Sequence, residues 1–206
     1  LSYMGATVLH EDSVFPVHRA GIPTNIRNTN APSERGTMIT HGVVEEKNPY
    51  VITGIAGRLG FSVISVEKAM MNSEHGFGRR VLQAVEENGL SFELPTGIDT
   101  MCVVLSTAEL APVRERVVKR IMELTEPDSV TIHDNMGIIA TVGRGMIHNP
   151  GTAARLFTAL SREHVNVRMI DQGSSELSIL VGVDSIDFQP AIRAIYHEFV
   201  GGAEQR

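Results

Sequence analysis

Apolar positions are sparse and irregular up to Pro49 and become periodic after it. Val51 to Ile55 and Phe61 to Val66 each read as a strand, the second rich in β-branched residues. Ser73-Glu74-His75-Gly76 is a turn. Behind it Phe77, Val81, Leu82 and Val85 recur at helical spacing. Asn88-Gly89 ends that helix, with Gly89 suited to the left-handed cap position. Strands follow at 92–94 and 101–105. A second helix places Val113, Val117, Val118, Ile121 and Met122 on one stripe, with Pro112 in its first turn. Val130-Thr131-Ile132 closes the unit as a strand.

The pattern then restarts. Gly137 to Val142 is a strand, Asn149-Pro150-Gly151 a turn, and Thr152 to His164 a helix with Ala153, Leu156, Phe157 and Leu160 inward. Strands at 167–170 and 177–181 come next. Asp184-Ser185-Ile186-Asp187 offers N-caps to a last helix that buries Phe188, Ile192, Ile195, Tyr196 and Phe199. Both halves therefore read β-α-β-β-α, with Gly76 answering Gly151. The class is α+β: two ferredoxin-like βαββαβ units of about 70 residues, each a sheet with helices on one face.

The strand count settles how the units interleave. The first unit closes with its own strand 130–132, the second runs out of chain after its last helix, and strand 51–55 is left over in front. The expected solution inserts the first unit (57–133) into the second (50–56 plus 134–206), with 51–55 beside 138–142 and 130–132 beside 62–66. Residues 1–49 stand apart: a helix and turn up to about His18, a short strand at 22–28 and a loop at 29–36. That region has too few apolar residues to fold alone and is expected to lean on another surface.

Composition narrows the partners. Of the 206 residues, 42% are hydrophobic and 20% charged, which suits a soluble globular chain. A net charge of −6 without clustered Lys and Arg argues against nucleic acid. The pairs Arg79-Arg80 and Lys119-Arg120 read as solvated helix faces. Cys102, the single cysteine, sits in the apolar run Met101 to Leu105 and reads as a packed strand thiol, not a nucleophile. No apolar run approaches the roughly 20 residues of a membrane helix, and no signal peptide opens the chain. A cytoplasmic location is expected. Leu1 is not a natural start, so a fragment or processed chain is expected too.

Three glycine patterns invite a nucleotide reading and fail it. Gly54-x-x-Gly57-x-x-Gly60 leads into β-branched residues and not a helix, so no helix start is there to hold phosphate. Gly143-Arg144-Gly145 lacks the third glycine, and Gly76-Phe77-Gly78 lacks the lysine of a phosphate loop. The eight histidines show no metal-ligand spacing, and no Ser-His-Asp or Cys-His signature stands out.

A different constellation repeats. Each unit has a small-residue turn that opens a helix, Ser73 to Gly78 and Asn149 to Ala153, followed by a hairpin carrying acidic and hydroxyl groups. Helix-start N–H groups attract a carboxylate, and facing carboxylates attract ammonium. Together they suit a zwitterionic amino acid, although caps and turns alone would use the same residue types.

Long motifs decide between these. Tyr3 to His10, Gly21 to Asn30 and Gly36 to Ile39 resemble the end of an aspartate kinase catalytic domain. Asn72 to Gly78 and Ser91 to Met101 resemble that family's first ACT domain. Pro150 to Phe157 and Asn166 to Glu176 resemble its second. The resemblance makes 1–49 the tail of the kinase domain with its linker, and the two units tandem ACT domains.

It implies a kinase that phosphorylates the side-chain carboxylate of aspartate with ATP, the first step toward lysine, threonine and methionine. The ACT domains would bind an end product and inhibit that kinase. The family's opening Lys-Phe-Gly-Gly-Thr-Ser stretch has no match here. The ATP, magnesium and aspartate sites are therefore expected upstream of Leu1, with no cofactor or metal in this chain and no catalysis by it alone. Carried over residue by residue, the effector-binding positions are Ser73, His75, Gly76, Phe77, Gly78, Glu93, Asp99 and Thr100 in the first unit. Asn149, Gly151, Thr152, Asp171 and Glu176 are their counterparts in the second. His75 departs from the family's pattern.

Lysine is the expected effector at the first unit, since Glu93 and Asp99 offer partners for two ammonium groups, with threonine the runner-up. The expected partners are the kinase domain of the same protein and a second copy, paired through the sensing domains. The rival reading is an ACT-type dimerisation scaffold without bound effector.

Overall fold

A computed structural model describes residues 11–40, 51–96 and 99–201, with the backbone alone for 11 and 93–96. Of the helix and turn expected up to about His18, residues 1–10 lie outside the described residues and the remainder is helical. Helix α1 (Glu11–Arg19) leads to strands β1 (Thr24–Ile26) and β2 (Thr37–Ile39), which form a two-stranded antiparallel sheet of their own. The sequence pattern gave no strand at 37–39. It forms because Gly36, at φ 72°, turns the chain back onto Ile26, while Arg27 donates to the Glu34 carbonyl at 2.9 Å. Phe15, Ile22 and Met38 stay exposed in this region.

The rest of the described chain is built on one six-stranded antiparallel sheet. In chain order come β3 (Gly54–Glu67), α2 (Phe77–Glu87), β4 (Phe92–Thr96), β5 (Thr100–Ser106), the short α3 (Thr107–Leu110), α4 (Arg114–Thr125) and β6 (Ser129–Val142). α5 (Thr152–Arg162), β7 (Val167–Asp171), β8 (Ser178–Asp184) and α6 (Phe188–Phe199) complete it. The strand order is β4-β5-β3-β6-β8-β7. This arrangement is two ferredoxin-like units fused along their central strands.

The expected cross-pairing is present, through longer strands than the pattern suggested. Gly54 and Ile55 lie opposite Val142 and Thr141, and Ile64 to Val66 lie opposite Ile132 to Val130. What read as four strands are two: β3 and β6, 14 residues each, run through both units. Their first and last halves serve different units, so the front half of β3 is the closing strand of the second unit.

Glycines make the long strands possible. A Cβ on Gly137 would stand 2.5 Å from Cδ2 of Phe188, and one on Gly57 2.9 Å from Cζ of the same ring. Phe188, at the start of α6, thus seats on both long strands at once. Gly60, at φ 90°, and Asn135, at φ 59°, lie where the β3–β6 register shifts and the two halves turn relative to one another. The Gly54-x-x-Gly57-x-x-Gly60 run is strand architecture, in keeping with the rejection of a phosphate loop.

A polar cluster pins this junction. The buried Ser62 hydroxyl donates to Asp134 Oδ1 at 2.7 Å and lies 2.9 Å from Thr107 Oγ1, and Arg114 pairs with Asp134 Oδ2 at 2.7 Å. The Ser62 and Arg114 hydrogen bonds hold the Asp134 carboxyl below its ordinary range. On the far side, the Asn135 carbonyl accepts both N–H and hydroxyl of Ser185, at 2.8 and 2.6 Å.

Helices α2 and α4 cover the first unit over Ile64, Val81, Val103, Val117 and Ile121; α5 and α6 cover the second over Ile139, Leu156, Val181 and Ile195. A third cluster joins residues of both units: Phe61, Val63, Val104, Met136, Ile138 and Met169. Each fully buried Leu or Ile contributes about 1.5–3 kcal/mol. Two residues expected inward are not: Met122 is 54% and Tyr196 51% exposed. Each sits at the margin of its helix stripe, one position beyond the buried Ile121 and Ile195, so the helix turns it toward solvent. Pro112 lies in a short 3₁₀ turn, Ala111–Val113, ahead of α4.

Candidate functional site

The two helix-opening turns share one backbone plan. Each helix starts at a left-handed glycine with no side-chain cap: Gly76 at φ 75° and Gly151 at φ 88°. The turn hydrogen bonds repeat 75 residues apart. Met71 N donates to Lys68 O as Met146 N does to Gly143 O; Glu74 N to Met71 O as Asn149 N to Met146 O; Phe77 N to Glu74 O as Thr152 N to Asn149 O. Even the helix ends agree, with Gly89 and His164 both left-handed and both closing the same bonds.

In the first unit the turn and the β4–β5 hairpin meet. Lys68 N donates to the Asp99 carbonyl at 3.3 Å, and a Cβ on Gly78 would touch Met101 Sδ at 3.6 Å. Gly78, Asp99 and Thr100 therefore border one end of the sheet, while the nearest side chains to Gly76 are Arg79 and Arg80 of its own helix. Asp99, Ser73 and His75 are exposed, Thr100 half-buried, and the Phe77 ring is buried in the core. The Glu93 side chain lies outside the described residues; its backbone is in β4.

Three charged residues outside the expected site positions occupy the same turn, and one of them, Arg80, expected on a solvated helix face, is instead tied into the turn by its pairing with Glu74. Lys68 Nζ pairs with Glu74 Oε2 at 2.6 Å, and Arg80 pairs with Glu74 Oε1. The Lys68 hydrogen bond is the main reason the Glu74 carboxyl is held below its ordinary range. Arg80 also donates to the His75 carbonyl at 3.1 Å. The available signal was the Glu74–Arg80 spacing across the turn; Lys68, at a strand end, looked like any solvated charge.

In the second unit the corresponding polar groups serve the turn itself. Asn149 Nδ2 donates to Gly145 O and the buried Thr152 hydroxyl to Asn149 O, both at 2.7 Å. Gly143 N donates to Leu177 O at 2.9 Å, tying the β7–β8 hairpin to the turn. Asp171 is half-buried at the end of β7, and Glu176 is exposed at φ 52° in the hairpin loop. The backbone of Val51 and Ile52 fills the space beside Gly143 and Gly145; a Cβ on Gly143 would lie 2.5 Å from Val51 O. Among the described residues no group of His, Cys, Asp and Glu is arranged to hold a metal ion, and no helix is long and apolar enough to cross a membrane.

Comparison with known proteins gives this geometry its context. A family model described as "ACT domain" matches residues 139–199, from mid-β6 to the end of α6. Aspartokinase 3 of Bacillus subtilis is 44% identical over 204 residues, covering 98% of this chain and 44% of the relative. The crystal structure of Clostridium acetobutylicum aspartate kinase, titled an allosteric enzyme, superposes with a TM-score of 0.88 at 48% identity, over 97% of this chain and 46% of that one. E. coli aspartokinase III in complex with lysine and aspartate shares the fold, with a TM-score of 0.73 at 21% identity over 97% of this chain and 44% of that one. The chain thus spans less than half the length of these relatives. It is an aspartokinase homologue over that part of those enzymes, with the ACT-domain match in its second ferredoxin-like unit and the same tandem ACT-type fold repeated in its first.

Proposed function

We propose that this chain is the amino-acid-sensing part of an aspartate kinase, binding an end-product effector at the first unit and inhibiting a kinase activity carried by a domain outside it. The observation that carries the reading is the start of α2: a left-handed glycine, no side-chain cap, and exposed Asp99 on the neighbouring hairpin. Uncapped N–H groups attract the effector's carboxylate, and the hairpin acids attract its ammonium groups.

Lysine is the preferred effector because it carries two ammonium groups for Glu93 and Asp99, and an aspartokinase of the same fold has been crystallised with lysine. Threonine, which needs one acidic partner, is the runner-up. ATP, magnesium and aspartate belong to the kinase domain, which is also the natural cover for Phe15, Ile22 and Met38. A homodimer through the sheet edges follows from the same reading, since β4 and β7 are the edge strands of the sheet among the described residues. The scaffold reading has its best support at the second unit, where Asn149 and Thr152 are spent inside the turn.

Thermal melts with lysine and threonine, paired with calorimetry, test the proposal. A ligand at 100 times its Kd adds about 2.7 kcal/mol to the folded state and raises the midpoint accordingly. A midpoint unmoved by both amino acids, with no heat of binding, would leave the scaffold reading.

A further inference from the structure

The ammonium of Lys68 is enclosed by three groups of the kind that hold a primary ammonium ion. Glu74 Oε2 lies at 2.6 Å, the Thr125 carbonyl at 2.5 Å, and the Phe77 ring presents its face with the centroid 5.7 Å away. Thr125 is the last residue of α4, so its carbonyl belongs to the negative end of a helix dipole. Arg80 grips the other oxygen of Glu74 and fixes the carboxylate toward Lys68. The Lys68 side chain is 22% exposed, against 79% for Lys119.

The second unit serves as an internal control. Its turn makes the same backbone bonds, but Gly143 stands where the first unit has Lys68, Asn149 where it has Glu74, and Thr152 where it has Phe77. The fold therefore forms this turn without ammonium, carboxylate or aromatic face. The three groups are an addition to the first unit and not a condition of its architecture.

We propose that Glu74, the Thr125 carbonyl and Phe77 form a primary-ammonium subsite of the first unit, filled at rest by Lys68 and given up to the ammonium of an incoming amino acid. This rests on the sensing function proposed above and refines it: one ammonium of lysine takes this subsite in exchange for Lys68, and the other is left to the hairpin acids Glu93 and Asp99. The exchange swaps one ammonium for another at an unchanged carboxylate, and the released Lys68 returns to water. Because Lys68 also ties the end of β3 to the end of α4, its departure loosens that joint and carries ligand occupancy into the helix layer.

The chain has three lysines, Lys47, Lys68 and Lys119, so amine acylation followed by mass spectrometry resolves each one. Lys68 should react several-fold more slowly than Lys119. Saturating lysine should raise the Lys68 rate relative to Lys119, and Glu74→Gln should raise it without ligand. Acylation of Lys68 at the Lys119 rate in the native chain would overturn the subsite. Calorimetric binding with Lys68 still protected would overturn the exchange. If no amino acid binds at all, the sensing function fails, and the exchange with it.

The subsite alone is then judged by rescue. Lys68→Ala should lower the melting midpoint, and methylammonium, but not tetramethylammonium, should restore it. Equal effects of the two cations would overturn the subsite. If Lys68→Ala does not fold, the acylation rates in the native chain and in Glu74→Gln decide.

Discussion

Thr141 is a buried mismatch whose removal should stabilise the protein. It lies in β6 between Ile55 and Ile179, is 0% exposed, and its hydroxyl has no hydrogen-bond partner among the described residues. The corresponding strand position of the first unit is Val66, equally buried. Thr141→Val keeps the shape and exchanges the hydroxyl for a methyl. An unsatisfied buried hydroxyl costs about 1–3 kcal/mol, and the added methyl gains up to about 0.8 kcal/mol. The expected stabilisation is about 1–3 kcal/mol, or about 2–4 °C in midpoint per kcal/mol for a chain of this size. Urea unfolding should show a higher midpoint at unchanged slope. Thr141→Ser, which keeps the hydroxyl and removes the methyl, should destabilise. Loss of stability in Thr141→Val would mean that the hydroxyl is satisfied, and the comparison with Val66 would fail.

Gly137→Ala drives a methyl into the Phe188 ring and should cost about 1–3 kcal/mol, a loss reduced in a Phe188→Leu background; thermal melts of the four proteins check both. Asp134 has a folded pKa below its ordinary 3.8. Its interactions therefore add stability that is full above that ordinary value and is lost as pH falls through the lowered one. Asp134→Asn should flatten the acid limb of a midpoint-against-pH curve. His164 holds at φ 55° the position Gly89 takes in the first unit; His164→Gly should stabilise by about 0.5–1 kcal/mol and Gly89→Ala should destabilise by about 1 kcal/mol, both read by urea unfolding.

Much of this fold is legible in the sequence because each helix and strand carries its own period. The interleaving followed from counting strands, since 51–55 had no partner in its own unit. The continuity of β3 and β6 was hidden because Gly57 and Gly60, and the polar stretch His133 to Asn135, look like breaks. Only the distant Phe188 explains why glycine belongs inside a strand there. Met122 and Tyr196 were misplaced because a helical stripe read from sequence has no sharp margin. At the site, Gly76 and Gly151 were visible as turn residues, whereas Lys68 was not: its meaning depends on Thr125, 57 residues away.

The two units also separate what folding requires from what recognition requires. A turn that repeats bond for bond at an offset of 75 residues is set by the backbone, and its left-handed glycines are needed in both copies. Residues that differ between the copies at matched positions are under no such demand. Lys68, Glu74 and Phe77 against Gly143, Asn149 and Thr152 form such a set, and the change removes both charges and the aromatic face. In the second unit the neighbouring space is taken by the backbone of Val51 and Ile52, so nothing of lysine's size fits beside Gly143. Ammonium chemistry is therefore concentrated at one of two otherwise equivalent turns. Under the proposed sensing function the first unit recognises and the second supports, and the long strands β3 and β6 place the two within a single sheet.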